Sequence, residues 1–395
     1  MQMELIALNL GIIIATSIFI MYACDTFEAG SRYLGRNFPA GIRGATINAI
    51  GSSLPELFTT VFLLFLYHDK NGFSAGIATC AGSAIFNAVV IPGLCVLSVL
   101  FFGVYVNGKL QKVDAINVDK KGFARDAFFF AVSEIVLIYF LMGTTLHWWM
   151  GGILVIIYLF YVGYLFMEYR ASRKDGSAEE DDDDDDDEED DDAPSNWFHA
   201  IRRLDFHWML YKRGPLNTGR AWTLLIIGVI LIAVPCHFLA KACIDLADVI
   251  GVEPFFTAVI LAAAATSVPD TFISISDARQ GDYDDAVSNA FGSNIFDINI
   301  CIGLPLFVYG LMYSSVSIGS KAQTSGAAPV QELQILLLIV TAIVFLLFFF
   351  GKGIGKMKAL VLFSLYGMFV TYCVGRAYKW DWLNPIAQQL QFAGF

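Results

Sequence analysis

Three acids stand in stretches where an acid is costly. Glu56 lies in 47-INAIGSSLPELFTTVFLLF-65, Asp270 in 261-LAAAATSVPDTFISIS-276, and Asp297 closes 292-GSNIFD-297. An Asp at the centre of a membrane helix costs ~2.5–3.5 kcal/mol, so one retained there is a functional hypothesis by default. The neighbours share its chemistry. On a helix Ser52, Ser53 and Glu56 lie on one face, and Thr266, Ser267 and Asp270 repeat that geometry. Ser83 and Asn87 are four apart, as are Ser293 and Asp297. Pro55 and Pro269 cannot donate a backbone hydrogen bond, so each is expected to free the carbonyl four residues earlier, at Gly51 and Ala265, and to bend its helix. Free carbonyls at membrane depth are tolerated where they line a cavity. The inventory is carboxylate, amide, hydroxyl and carbonyl, with no sulfur or imidazole beside it. Such oxygen sets suit hard cations such as Ca²⁺ and Na⁺ better than Zn²⁺ or Cu²⁺. Singly, a membrane-helix Ser packs or bonds within its own helix, and a lone Pro is a kink. Recurrence in matched motifs is what favours function.

The elements that must position these groups are membrane helices. The chain has 395 residues, 56% hydrophobic and 16% charged, with mean hydropathy +0.61. This composition excludes an ordinary soluble domain, and no nucleic-acid partner is expected. About ten apolar spans follow at roughly 20 residues each: near 4–24, 41–67, 75–102, 127–145, 147–169, 220–245, 254–279, 284–312, 331–350 and 356–378. The first lacks a basic n-region and a small-x-small cleavage site, so it is expected to be a retained helix. His147, Trp148 and Trp149 open the fifth span as an interfacial belt.

With the N-terminus outside, 20 Lys/Arg fall in inside loops and 5 on the other side. The positive-inside rule therefore makes the 170–219 loop cytoplasmic. That loop holds 179-EEDDDDDDDEEDDD-192, and removing its 14 negative charges from the formal −12 leaves +2. It reads as a self-repelling, largely disordered linker, with loose Ca²⁺ binding as the functional alternative. Arg202, Arg203, Lys212 and Arg213 beyond it could meet anionic lipid.

The linker divides the chain into 1–169 and 220–395, five spans each. An odd number makes the halves run oppositely. Internal similarity agrees: GSSLPE at 51–56 matches ATSVPD at 265–270, offset by 214, and GSAIFN at 82–87 matches GSNIFD at 292–297, offset by 210. The expected fold is an all-α polytopic membrane protein of two inverted five-helix repeats, with ion sites near the midplane.

Other features read more simply. The seven cysteines (24, 80, 95, 236, 243, 301, 373) lack CxxC or metal-like spacing and read as small buried hydrophobes. Glu134 is balanced between a pathway residue and a helix-packing acid. Asp25, Asp245 and Asp248 lie near span ends and should be solvated. Cys236 and His237 should pack around the Pro235 kink, and His68 to Lys70 form an exposed turn.

With both motif pairs in hand, the sequence resembles the cation/calcium exchanger superfamily. Its hallmark is a G-[ST]-S-x-P-[ED] segment and a later G-S-x-x-x-[ND] segment in each of two inverted repeats. The lead-ins 23-ACDTFEAGSRYLGRNFPAGIRG-44 and 242-ACIDLADVIGVEPFFTAV-259 extend the resemblance over both halves. GSAIFN, SVPD and GSNIFD look most like the potassium-dependent sodium/calcium exchangers. The resemblance implies an antiporter, not an enzyme, that exchanges Ca²⁺ for Na⁺ with K⁺ co-transport and needs no cofactor. It implies that Glu56 and Asp270 centre the Ca²⁺ site and that Ser52, Ser53, Thr266 and Ser267 line the Ca²⁺ and Na⁺ sites. Asn87, Asp297, Ser83 and Ser293 complete the set, carbonyls near Ala49 and Ala263 contribute, and Asp297 is the potassium-linked acid. The sequence departs from the family pattern where Ser52 replaces Thr and Ala265 replaces Gly, while Asn48 is an unexpected polar residue.

The alternatives are a proton- or Mg²⁺-coupled exchanger of the same fold and, more remotely, an intramembrane aspartyl protease. The plasma membrane is the expected host, with an intracellular membrane as the alternative. Oligomeric state is left open.

Overall fold

The computed structural model describes residues 2–36, 46–47, 49–66, 72–106, 109–143, 145–174, 196–317, 327–350 and 353–390. Apolar sequence becomes helix wherever it is long enough, because inside a membrane only intrahelical bonds satisfy the backbone. The helices are α1 (Gln2–Leu34), α2 (Ala49–Ser52), α3 (Leu54–Phe65), α4 (Gly72–Phe102), α5 (Lys120–Leu141), α6 (Trp148–Lys174), α7 (Thr218–Ile250), α8 (Pro254–Thr266), α9 (Val268–Gln280), α10 (Tyr283–Tyr313), α11 (Ala327–Phe349) and α12 (Lys356–Ala377). The described residues of each of the ten expected spans fall on one of these or on a broken pair, and 41–45, 48 and 67 of the second span lie outside the described residues. Short helices Trp197–Arg202 and Phe206–Tyr211 precede α7, and Asn384–Leu390 follows α12. Two antiparallel ribbons tie loops together: β1 (Val104–Val106) with β2 (Lys109–Gln111), and β3 (Thr145–His147) with β4 (Ser315–Ser317).

Among the described residues seven helices are long and apolar enough to cross a membrane unaided, and α8 with α9, bent by 41°, makes an eighth. The other two expected spans have visible reasons to fall short. Helix α5 carries Lys120, Lys121, Arg125, Asp126 and Glu134, and α3 has only 12 residues because the chain breaks at Ser53. Asn48, the 179–192 acids and His68 to Lys70 lie outside the described residues.

The burial pattern is that of a protein solvated by lipid. Large apolar side chains face out, among them Leu8, Ile14 and Ile18 on α1 and Ile226, Ile230 and Phe238 on α7. Polar ones gather inside, where Glu56, Ser83, Asn87, Asp270, Ser293 and Asp297 have no exposed surface. All seven cysteines are free and buried, as expected. Asp25 and Asp248 are exposed, Asp245 pairs with Lys241 at 2.8 Å, and the His237 ring packs edge-on against Phe62. Trp148 and Trp149, at the start of α6, are exposed.

Close packing relies on small residues, since dispersion contacts between helices must replace a hydrophobic drive that lipid does not supply. A Cβ on Gly30 would come 2.7 Å from the Ala221 carbonyl, and one on Gly228 would come 2.7 Å from Phe27 Cα, so α1 and α7 touch backbone to backbone. Helix ends are marked locally. Asp119 caps α5 by accepting from Lys121 N and Gly122 N, Asn217 caps α7 through Arg220 N, and Gly251 ends α7 at φ +74°.

A buried acid secures the helix that carries Ser293 and Asp297. Asp126 of α5 accepts from Arg125 Nε at 2.7 Å, from Tyr161 Oη of α6 at 3.1 Å and from Ser288 Oγ of α10 at 3.2 Å. Near the other end of the chain Glu332 of α11 repeats this plan. It accepts from Tyr372 Oη at 2.7 Å and, bidentately, from Arg376 at 2.8 Å, both on α12.

Candidate functional site

The two acid-bearing segments break where sequence and physics agree that they should. In the first, α2 ends and α3 begins on either side of Ser53 (φ −94°, ψ 3°). In the second, α8 and α9 meet at Ser267 (φ −79°, ψ 3°). Each proline thus falls within the first turn of the following helix, where a missing N–H costs nothing. Each acid follows in that same turn, where the partial positive charge of the helix N-terminus favours it. The freed carbonyls do not point into the site. Cys24 Sγ lies 3.8 Å from Gly51 O, and Ser17 Oγ donates to Ala265 O at 3.1 Å, so α1 covers both.

The second motifs arrive on α4 and α10, and contacts from each part of the chain reach into the other. Ser83 Oγ donates to Glu56 Oε1 at 3.0 Å and lies 2.8 Å from Ser267 Oγ. Ser293 Oγ donates to Asp270 Oδ1 at 2.7 Å and lies 3.4 Å from Ser52 Oγ. An ionised carboxylate can only accept, so each inner serine spends its proton on the acid of its own half. Ser83 is then free to accept from Ser267, whereas the single Ser52 proton has both Ser293 Oγ and Ala49 O within 3.4 Å. Ser267–Ser83–Glu56 and Ser52–Ser293–Asp270 thus form two contact chains, each ending on an acid. Asn87 adds a cross-link, Nδ2 donating to Asp270 Oδ2 at 3.2 Å.

Several buried oxygens are left without a hydrogen-bond donor: Glu56 Oε2, Asn87 Oδ1, Ser53 Oγ and Asp297 Oδ2. Buried polar atoms are rarely orphaned, and an unpaired carboxylate in an apolar surround is far costlier than a hydroxyl. A desolvated cation is the partner that satisfies such oxygens together. Among the described residues no three Asp, Glu, His or Cys side chains converge closely enough to hold an ion alone. Hydroxyl and amide oxygens must therefore complete any coordination sphere.

The other expected residues take specific places. Thr266 Oγ1 bonds back to Ala262 O and Ala263 O, at 3.0 and 3.2 Å. Ala49 O accepts from Ser53 N at 3.1 Å, and Ala263 O accepts from Ser267 N at 3.1 Å. In this conformation both carbonyls close turns of their own helices. Asp297 opens a π-helical turn (Asp297–Ile302), which rotates it relative to the preceding α-helix. Sequence reasoning passed over Cys301, whose Sγ lies 3.7 Å from Asp297 Oδ1 and 3.5 Å from Ser53 O. Its signal was the four-residue spacing from Asp297. Asn294, which donates to Ala84 O at 3.0 Å, was also missed.

Because Ser83 links Glu56 to Ser267, Ser83→Ala leaves both with one bond fewer. Hydrogen bonds to charged groups contribute about 1.5–3 kcal/mol. Ion affinity is therefore expected to change by roughly tenfold or more, read as a shifted half-saturation for Ca²⁺ in a flux or calorimetric titration. Ser276→Ala, outside both contact chains, should leave it in place.

Fold and side-chain placement together define an integral, multi-pass membrane protein with a buried cluster of oxygen-bearing side chains where two broken helices meet. The family model for the sodium/calcium exchanger protein matches residues 8–167 and 220–375, and the chain belongs to that family. Sodium/potassium/calcium exchanger 4 of Homo sapiens is 37% identical over 131 residues, 33% of this chain and 18% of that protein. Sodium/potassium/calcium exchanger 3 of Homo sapiens is 32% identical over 162 residues, 39% of this chain and 22% of that protein. The matched stretches thus span less than a quarter of either relative. Two solved structures share the fold. A structure of the sodium–calcium exchanger NCX_Mj soaked with Na⁺ and Sr²⁺ has TM-score 0.54 at 20% identity, covering 93% of this chain and 99% of that one. The crystal structure of the H⁺/Ca²⁺ exchanger CAX has TM-score 0.57 at 13% identity, covering 98% and 91%.

Proposed function

We propose that this protein is a secondary-active antiporter that exchanges Ca²⁺ for Na⁺, with K⁺ co-transported, by alternating access to the Glu56/Asp270/Asp297 site. The observation that carries this reading is the pair of contact chains, beside which carboxylate, amide and hydroxyl oxygens are left unsatisfied. Family membership and the names of the relatives support the choice of ions. Glu56 and Asp270 bind Ca²⁺ with Ser52, Ser53, Thr266 and Ser267. Ser83, Asn87 and Ser293 position and complete the set, and Asp297 serves K⁺. Backbone carbonyls at Ala49 and Ala263 join when their turns open.

Charge arithmetic suits this assignment. Three ionised acids are balanced by three Na⁺ or by one Ca²⁺ with one K⁺, whereas Ca²⁺ alone leaves one negative charge. The halves 1–169 and 220–395 act as oppositely oriented five-helix units around the midplane site, joined by a cytoplasmic acidic linker at 170–219. The plasma membrane is the proposed host.

Reconstituted vesicles test the reading. A Na⁺ gradient is expected to drive Ca²⁺ uptake, and uptake should fall when K⁺ is withheld. Equal rates with and without K⁺ remove the role given to Asp297 while leaving exchange standing. Uptake driven by a pH gradient without Na⁺ would move the assignment to a proton-coupled exchanger.

A further inference from the structure

A second buried acid lies outside the contact chains. Helices α5 and α11 pack antiparallel. Gln331 Nε2 donates to Leu141 O at 2.9 Å at one end, and the Phe123 ring stacks on Phe348 and Phe345 at the other, with centroids 4.9 and 5.8 Å apart. Between these contacts the seam should be apolar, yet it holds Glu134 on α5 and Gln334 and Thr341 on α11. Their exposures are 0%, 1% and 3%. The Thr341 hydroxyl faces the Glu134 carboxyl, but both Glu134 oxygens, Thr341 Oγ1 and both Gln334 amide atoms lack a hydrogen-bond partner.

Among the described residues no charge is at hand to balance an ionised Glu134. On its own helix Asp126 and Arg125 bond to each other, and α6 brings Tyr161 to Asp126 and Glu168 to Arg125. On α11 Glu332 is taken by Arg376 and Tyr372. From α10 the acid is Asp297, another negative group, with Cys301 at its Oδ1. An isolated carboxylate in such surroundings neutralises itself by taking a proton.

We propose that Glu134 is a proton-binding site within the membrane, separate from the cation site, and that it carries its proton in this conformation. The site has a route to the cation site. The adjacent Ser133 Oγ accepts from Asn299 Nδ2 at 2.7 Å, inside the π-helical turn that Asp297 opens. Ionising Glu134 charges the α5–α11 seam next to that contact, so alkaline pH should slow any movement that needs the seam intact.

Infrared difference spectroscopy of the purified protein in lipid bilayers reads the proton directly, whatever the protein transports. At neutral pH the wild-type minus Glu134→Gln spectrum is expected to contain the carbonyl stretch of a protonated carboxylic acid. That band should move in Thr341→Val, which keeps the acid and removes the hydroxyl facing it, and should persist in a Glu56→Gln background. If Glu134→Gln does not fold, Glu134→Asp supplies the same difference band at a shifted frequency. An ionised-carboxylate band at this position at neutral pH, or no band assignable to Glu134, overturns the proposal. In flux measurements Glu134→Gln should keep its neutral-pH rate and lose the wild-type decline at alkaline pH. Superimposable pH profiles would show that the proton has no bearing on transport.

Discussion

Glu56→Gln and Asp270→Asn, made separately, are each expected to abolish Na⁺-driven Ca²⁺ uptake at ordinary Ca²⁺ concentrations while leaving the folded protein at least as stable. Both acids are wholly buried, and each accepts a serine hydroxyl bond that an amide oxygen can still accept, so the isosteric change removes charge and little shape. Taking away one member of a buried charge pair costs about 3–5 kcal/mol. The acid–cation pair is of that kind, so Ca²⁺ affinity should fall by at least about 100-fold. Without an ion the sign reverses, because a neutral amide at membrane depth is cheaper than a carboxylate. Opposed effects on thermal stability and on flux distinguish an ion ligand from a structural acid. Unaltered flux in both variants, with Ca²⁺ varied over a wide range, would remove the proposed site. Loss of flux together with a lowered melting temperature would assign the acids to packing.

Gly82→Ala is expected to be nearly as damaging although it adds one methyl group. A Cβ at Gly82 collides with the Val259 carbonyl oxygen and comes within 2.8 Å of Ala263 Cβ. Helix α4 therefore crosses α8 backbone to backbone, one residue before Ser83. Backbone atoms cannot rotate away as a side-chain tip can, and overpacking of this kind costs about 1–3 kcal/mol. Relief must come from separating the helices, and the first contact to stretch is the 2.8 Å approach of Ser83 to Ser267. We expect a lower melting temperature and at least a tenfold loss of uptake, from a combined loss of folded protein and of contact geometry. Gly163→Ala on α6, where an added Cβ meets nothing within 4 Å, is the matched control. Wild-type flux from Gly82→Ala would mean that the crossing is looser than described.

Much of the site was legible in the chain because burial of charge is expensive wherever it occurs. Glu56, Asp270 and Asp297 stood out against apolar sequence, and the serine spacings followed from helical periodicity alone. Most of the spans were equally legible, since a long apolar run in lipid has no alternative to helix: among the described residues seven helices, and an eighth made of the bent pair α8 and α9, are long and apolar enough to cross. The cysteines were rightly read as buried. What escaped was whatever depends on a partner distant in sequence. The Cys301 thiol beside Asp297 and Ser53 spans 248 positions on its Ser53 side. The two carbonyls freed by proline met donors on α1, which no local pattern names.

The sequence by itself determined which groups must be buried, which long apolar runs become helix and where the broken helices begin, because these follow from local energetics of apolar runs, prolines and acids. Only the tertiary structure decided which serine serves which acid. Ser267 reaches Ser83 and Ser52 reaches Ser293 across 184 and 241 positions. The first of those pairings exists because Gly82 lets α4 meet α8 at backbone distance, a closeness that spacing along the chain does not encode.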